Sequence, residues 1–358
     1  MNYLKSVSRI SKAKIDLLFK VHNSDVEVVK NVVKRDNVLD YFVANFNPTE
    51  EEILGFGDCS ETECEFIYTY KGIPTEKFSL SLSKSMIKQY LFLHFIPANK
   101  SGVRKRVSYS SLAKSLNVST VTVRSNMDRL VKLGFIWVSE IERGLYDIVI
   151  ADEYKNHEVG GKGYVTLSLD MLYHLLSFEN VNELKLELKK VLWCDAKVNC
   201  NDFDITFNPS NMLKVLPDYI RPSKRKELLE SSKSMFKVEK NTLNYDAYKT
   251  KNEMLLPIEK EIKNVIKDFF ELTNMPFDKF CEENRHNPIM ELKVAMEEAL
   301  VISDLTGLAI QYNLDLVMKA LIDIYTYFGS ADTNDIINTG AFVRTWIENY
   351  IATERIAI

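Results

Sequence analysis

The sequence predicts a mainly helical α+β protein in which small β hairpins accompany helices and a purely helical domain follows. Three observations predict it. Of 358 residues, 46% are hydrophobic and 27% charged, an ordinary globular balance. Apolar residues recur at threes and fours along most of the chain, and this helical period is twice interrupted by alternating, strand-like runs. Beyond Pro257 the helical period continues alone. The order divides into a docking or oligomerisation element over 1–80, two helix–strand units over 81–160 and 161–253, and a helical domain over 254–358.

Taken in order, residues 1–80 join a basic amphipathic start to an acidic stretch (Glu50 to Glu65) and a strand-like run from Glu65 to Tyr70, bounded by Gly72 and Pro74. From Ser83 to Phe95, Met86, Ile87, Tyr90, Leu91, His94 and Phe95 mark an amphipathic helix that ends at Pro97. A basic loop carrying Arg104, Lys105 and Arg106 follows. Ser108 caps a helix containing Leu112, Ala113 and Leu116, Asn117 and Val118 make a tight turn, and Ser119 caps a second helix to Leu133. In that helix Val123, Met127 and Leu130 form the inner face, which leaves Thr120, Thr122, Arg124, Ser125 and Arg129 outside. Gly134 stops it, and Phe135 to Ile141 and Tyr146 to Ile150 read as strands joined at Glu142, Arg143 and Gly144. Glu153 to Gly163 reads as a linker. The elements after it repeat the preceding order: Val165 to Leu176, a helix over Glu183 to Lys197, a strand at Phe203 to Phe207, a helix pair, and a hairpin from Phe236 to Tyr248. In the last domain Leu314, Val317, Leu321, Ile324 and Phe328 form one apolar stripe, and Phe342, Trp346 and Tyr350 another.

Helix, turn, helix, hairpin is the order of a winged helix, and LAKSLNVSTVTVRSNMDRLVKLGFI resembles the winged helix-turn-helix superfamily. The resemblance covers about one eighth of the chain. It implies a recognition helix at Ser119 to Leu133, with its tip of the wing near Arg143. Charge agrees with it. From Pro97 to Trp137 eight basic residues face one acid, Asp128, a net +7 in a chain of −4. Such a local field favours a polyanion, since Lys and Arg neutralise phosphates and a guanidinium fork can grip a guanine edge.

The second unit carries Arg221, Lys224, Arg225 and Lys226 in a cluster of net +4 over Arg221 to Lys240. With the hairpin turn near Lys240 and Asn241 as its wing, the second unit reads as a second winged helix, and two winged helices in series resemble, in architecture, the iteron-binding replication initiators of plasmids. The last domain reverses sign, to −6 over Glu291 to Ile358, and suits protein contacts or self-association. A winged helix followed by a helical domain ending in GAFVRTWIENYI also resembles the DnaD-type primosome proteins.

Catalytic and cofactor readings find no support. GGKG at Gly160 to Gly163 lacks Walker spacing, and the five histidines make no HExxH or paired set. The five cysteines form no CxxC pair, so metal sites and disulfide staples are not expected. No apolar run reaches the roughly 18 residues needed to span a bilayer, and a cytoplasmic location is expected. The sequence thus points to a protein, not an enzyme and without cofactors, that binds specific double-stranded DNA. A plasmid or phage replication initiator is the first expectation; a transcriptional regulator and a winged-helix scaffold without DNA binding are the alternatives.

Overall fold

The computed structural model describes residues 4–19, 26–27, 29–33, 66–70, 77–78, 82–99, 101–151, 163–197, 204–239, 241–244, 251–328 and 338–353. Two compact units are formed, one by residues 1–21 with 82–358 and one by 22–81. The smaller unit pairs its strands antiparallel: β2 (Val26–Glu27) with β5 (Lys77–Phe78), and β3 (Val29–Val33) with β4 (Phe66–Tyr70). The strand expected at Glu65 to Tyr70 is β4. The acidic stretch ahead of it and the linker expected over 153–163, Gly163 apart, lie outside the described residues.

Residues 4–19 do not belong with 22–80 as one element, which corrects the division read from sequence. β1 (Val7–Ser11) and α1 (Lys12–Leu18) enter the larger unit, where Ile10, Ile15 and Leu18 are fully buried. The reason is apolar burial: β1 finds its edge partner far downstream, in β9 (Tyr164–Ser168).

The larger unit then contains a topological repeat. Its first half runs α2 (Lys84–Leu93), β6 (Val103–Ser108), α3 (Tyr109–Leu116), α4 (Thr120–Lys132), β7 (Ile136–Glu142) and β8 (Leu145–Ile150). Its second half runs α5 (Leu169–Ser177), α6 (Val181–Lys197), β10 (Asp204–Thr206), α7 (Pro209–Leu213), α8 (Pro222–Leu229), β11 (Lys237–Glu239) and β12 (Thr242–Asn244). The antiparallel sheets have matching orders, β6-β8-β7 and β10-β12-β11. Each half is introduced by a strand that runs straight into a helix, β1 into α1 and β9 into α5, and these two strands pair with Arg9 opposite Thr166 at their centre.

The halves are strapped reciprocally. α1 lies on α6, with Lys12 2.5 Å from Asp195, while α2 lies on α5, where Lys88 Nζ donates to the Leu176 carbonyl at 2.5 Å. One apolar core runs through both, from Ile10 and Ile87 through Leu112, Val123, Met127 and Ile148 to Leu172, Leu188 and Leu243.

The local chemistry explains the boundaries. Ser119 accepts from the Thr122 amide at 3.0 Å, an N-cap for α4, and Asn117 closes α3 in the left-handed region (φ 51) that Asn tolerates. Ser108 occupies the N-cap position of α3, but its hydroxyl bonds Ser110 instead (2.7 Å). Pro222 opens α8, where its missing N–H costs nothing.

The C-terminal helices are α9 (Lys251–Thr273), α10 (Lys279–Asn284), α11 (Glu291–Gln311), α12 (Leu314–Phe328) and α13 (Thr339–Thr353). They surround a second core that includes Ile266, Leu305, Val317, Leu321, Ile324 and Ile347. The stripe expected on α12 points inward at Val317, Leu321 and Ile324. On α13 the inward stripe is Val343, Ile347 and Ile351, one residue round from the aromatic one; Phe342 is exposed, and Trp346 and Tyr350 stack at its flank with ring centroids 5.0 Å apart. No helix among the described residues is long and apolar enough to cross a membrane.

Candidate nucleic-acid interface

α4 presents the most complete surface for a groove. Its inner face is Val123, Met127 and Leu130, all buried, together with Asn126. Asn126 Nδ2 donates to Gln89 Oε1 at 3.0 Å, Gln89 Nε2 donates to the Val123 carbonyl at 3.2 Å, and Ser85 Oγ donates to Asn126 Oδ1 at 3.4 Å. This buried amide pair fixes the rotation of α4 on α2, because turning the helix by one residue would strand both amides. Gln89→Leu is therefore expected to cost about 1–3 kcal/mol, and adding Asn126→Leu to recover part of the loss, since replacing both partners removes the unmet bonds. Denaturant midpoints of the single and double variants check this.

With rotation fixed, the outward residues are Thr120, Val121, Arg124, Ser125, Asp128 and Lys132, all exposed. Arg124 makes no hydrogen bond or ion pair among the described residues. Arg129 lies half-buried on the flank, and Arg143 is exposed at the β7–β8 turn, where Gly144 takes φ 79. Beneath the helix Tyr109 and Tyr146 stack with centroids 3.8 Å apart. Burial first, then Tyr146 and Asp128, hold the Tyr109 phenol well above its ordinary pKa, with Arg124 opposing.

Several residues singled out from sequence are placed elsewhere. The basic loop is the strand β6, and Arg104 on it is fully buried, its Nε donating to the Leu93 carbonyl at 2.6 Å. Lys105 pairs with Asp147 at 2.5 Å, and Arg106 forks onto Glu142 at 2.8 and 3.2 Å. Those carboxylates sit on β7 and β8, so strand pairing itself neutralises the two cations. Ser119 and Thr122 cap the helix, with their hydroxyls 2.9 Å apart.

In the second half Arg221 is exposed at the start of α8. Arg225 instead donates Nε to the Ile220 carbonyl (2.9 Å) and Nη2 to the Pro217 carbonyl (3.0 Å), holding the loop ahead of α8. Lys224 pairs with Glu227 (2.5 Å) and Lys226 with Glu230 (3.9 Å). Lys214 and Lys237 add exposed charge there. The residue that sequence reasoning missed is Val121, 75% exposed at the second position of α4. The signal was present, because the inner-face period that selects Val123, Met127 and Leu130 leaves Val121 outside.

Among the described residues no group of three or more His, Cys, Asp or Glu is placed to hold a metal ion. No protein-family model, curated protein or solved structure matches the chain.

Proposed function

We propose that the protein binds specific sequences in duplex DNA, its first helix–strand half serving as a winged helix with α4 in the major groove and the β7–β8 hairpin as the wing. One observation carries the reading. The outward face of α4 is exposed, carries an arginine, Arg124, that makes no hydrogen bond or ion pair among the described residues, and is held in one orientation by the buried Gln89–Asn126 bonds. A helix fits the major groove, and small hydroxyl residues such as Thr120 and Ser125 permit close approach. The second half, of the same topology, is a second winged helix that adds backbone contacts through Arg221, Lys214 and Lys237.

Two such units joined to an acidic helical module suit assembly on DNA, and initiation of plasmid or phage replication is the process we favour. On that reading the module recruits a protein partner or self-associates. The reading is tested by affinity for duplex DNA against salt. With Lys114, Arg124, Lys132 and Arg143 on the first half and Lys214, Arg221 and Lys237 on the second, about four to seven phosphates are within the protein's means. The slope of log affinity on log salt is then expected between about −4 and −6. A flat response, or no retardation of duplex at low salt, would leave a protein-binding scaffold as the function.

A further inference from the structure

We propose that Val121 reads the C5-methyl group of a thymine, next to a guanine gripped by Arg124; the proposal rests on α4 being the DNA-facing helix. Of the outward side chains of α4, Thr120, Arg124, Ser125, Asp128 and Lys132 are polar and Val121 alone is apolar. It is 75% exposed, it takes no part in the N-cap that Ser119 and Thr122 make, and a β-branched residue is a weak choice for an exposed helical position. It cannot turn inward either, because the Gln89–Asn126 bonds hold the rotation of the helix.

The neighbours give the valine its chemical context. Residues 121, 124, 125 and 128 are spaced so that they share one face, and Val121 lies in the first turn, the end of a recognition helix that meets base edges. In the major groove the apolar feature presented by a base is the thymine methyl, whereas Arg pairs with guanine O6 and N7, and Asp accepts from the cytosine amino group. In the proposed docking Asp128 has to face a base amino group, since a carboxylate turned to phosphates would be repelled. α8, the equivalent helix of the second half, has no such set: Lys224 is paired with Glu227, Lys226 with Glu230 at the helix end, and Arg225 is spent on the loop carbonyls. Base reading therefore falls to the first half, and the second half holds the backbone.

The experiment uses the full-length protein and a preferred duplex selected from random-sequence DNA. Thymines are replaced singly by deoxyuridine, which deletes the methyl and keeps the pairing edge. One position is expected to weaken wild-type binding about fourfold, the worth of one buried methyl group. The Val121→Ala protein should bind the parent site about fourfold more weakly and lose its sensitivity to deoxyuridine at that position. Its unfolding midpoint, read on the same samples, should be no lower than that of the wild type, because alanine is the better helix former at an exposed position. Wild-type protein that selects a sequence yet tolerates deoxyuridine at every thymine overturns the assignment and leaves DNA binding standing. Full sensitivity retained in Val121→Ala overturns it equally, by placing the methyl contact on another side chain. Failure to retard any duplex at low salt removes the DNA reading itself, and the thymine contact with it.

Discussion

An Arg104→Ala protein is expected to lose about 3–5 kcal/mol of stability, the range for emptying a large, wholly buried site that also holds a charge-assisted hydrogen bond. The side chain is fully buried, and its Nε lies 2.6 Å from the Leu93 carbonyl at the end of α2, with Nη1 3.4 Å from the Gly102 carbonyl. It therefore ties α2 to the turn that leads into β6. Denaturant unfolding reads the loss directly. Under conditions where the variant remains folded, its affinity for DNA should match wild type, because the guanidinium faces no solvent. A fall in DNA affinity with an unchanged unfolding midpoint would put Arg104 back on the surface.

The second large effect is expected at Glu187 on α6. This carboxylate is buried beside an equally buried Lys190, 3.6 Å away, and receives bonds from Ser234 Oγ (2.6 Å) and the Met235 amide (2.8 Å), with His174 Nε2 at 3.0 Å. Burial pushes its pKa up, but the His174 contact, the Lys190 charge and the two further bonds outweigh burial and hold it below the usual carboxylate range. Glu187→Gln keeps the shape and removes the charge, leaving Lys190 buried without its counter-ion, at a cost of about 3 kcal/mol near neutral pH.

The pH dependence has a definite sign. A carboxyl whose pKa is depressed by folding contributes stability that is complete above its unfolded value, near 4.3, and lost as pH falls through the folded one. Wild-type stability should consequently drop more steeply than that of Glu187→Gln on acidification below about pH 5, and the two curves should converge. Parallel curves in urea at several pH values would show that the network does not depend on the ionised carboxylate.

Much of this architecture is legible in the residues. The order of elements from Ser83 to Ile150 follows from the period of Val123, Met127 and Leu130, from the capping serine at 119 and from glycines at 134 and 144. The echo of that order after Tyr164 is readable in the same way. Charge is where local reading goes astray. A sum over Pro97 to Trp137 includes Arg104, Lys105 and Arg106 but stops short of Glu142 and Asp147, the carboxylates that strand pairing sets against Arg106 and Lys105. A cation's partner is a matter of sheet register, which a linear window does not contain. The burial of Arg104 is hidden for a similar reason: a strand with a register shift between Arg104 and Val107 breaks the alternation from which inward and outward are inferred. Within α4 the helical period that buries Val123, Met127 and Leu130 also places Val121 outside. On α13 the aromatic stripe lies one residue from the buried one: three large rings are the more conspicuous series, but it is Val343, Ile347 and Ile351 that are buried where the helix packs on α11 and α12.

The pairing of β1 with β9 sets a timetable for synthesis. These strands lie about 150 residues apart along the chain, so at 5–20 residues per second β1 leaves the ribosome about 8–30 s before β9 exists to receive it. During that interval Ile10, Ile15 and Leu18 have only part of the core they finally occupy. The nascent first half can close its own sheet β6-β8-β7, whose strands are near in sequence, while its leading strand still waits for an edge. Assembly of the two halves is then the event that retires this segment from the reach of chaperones and proteases.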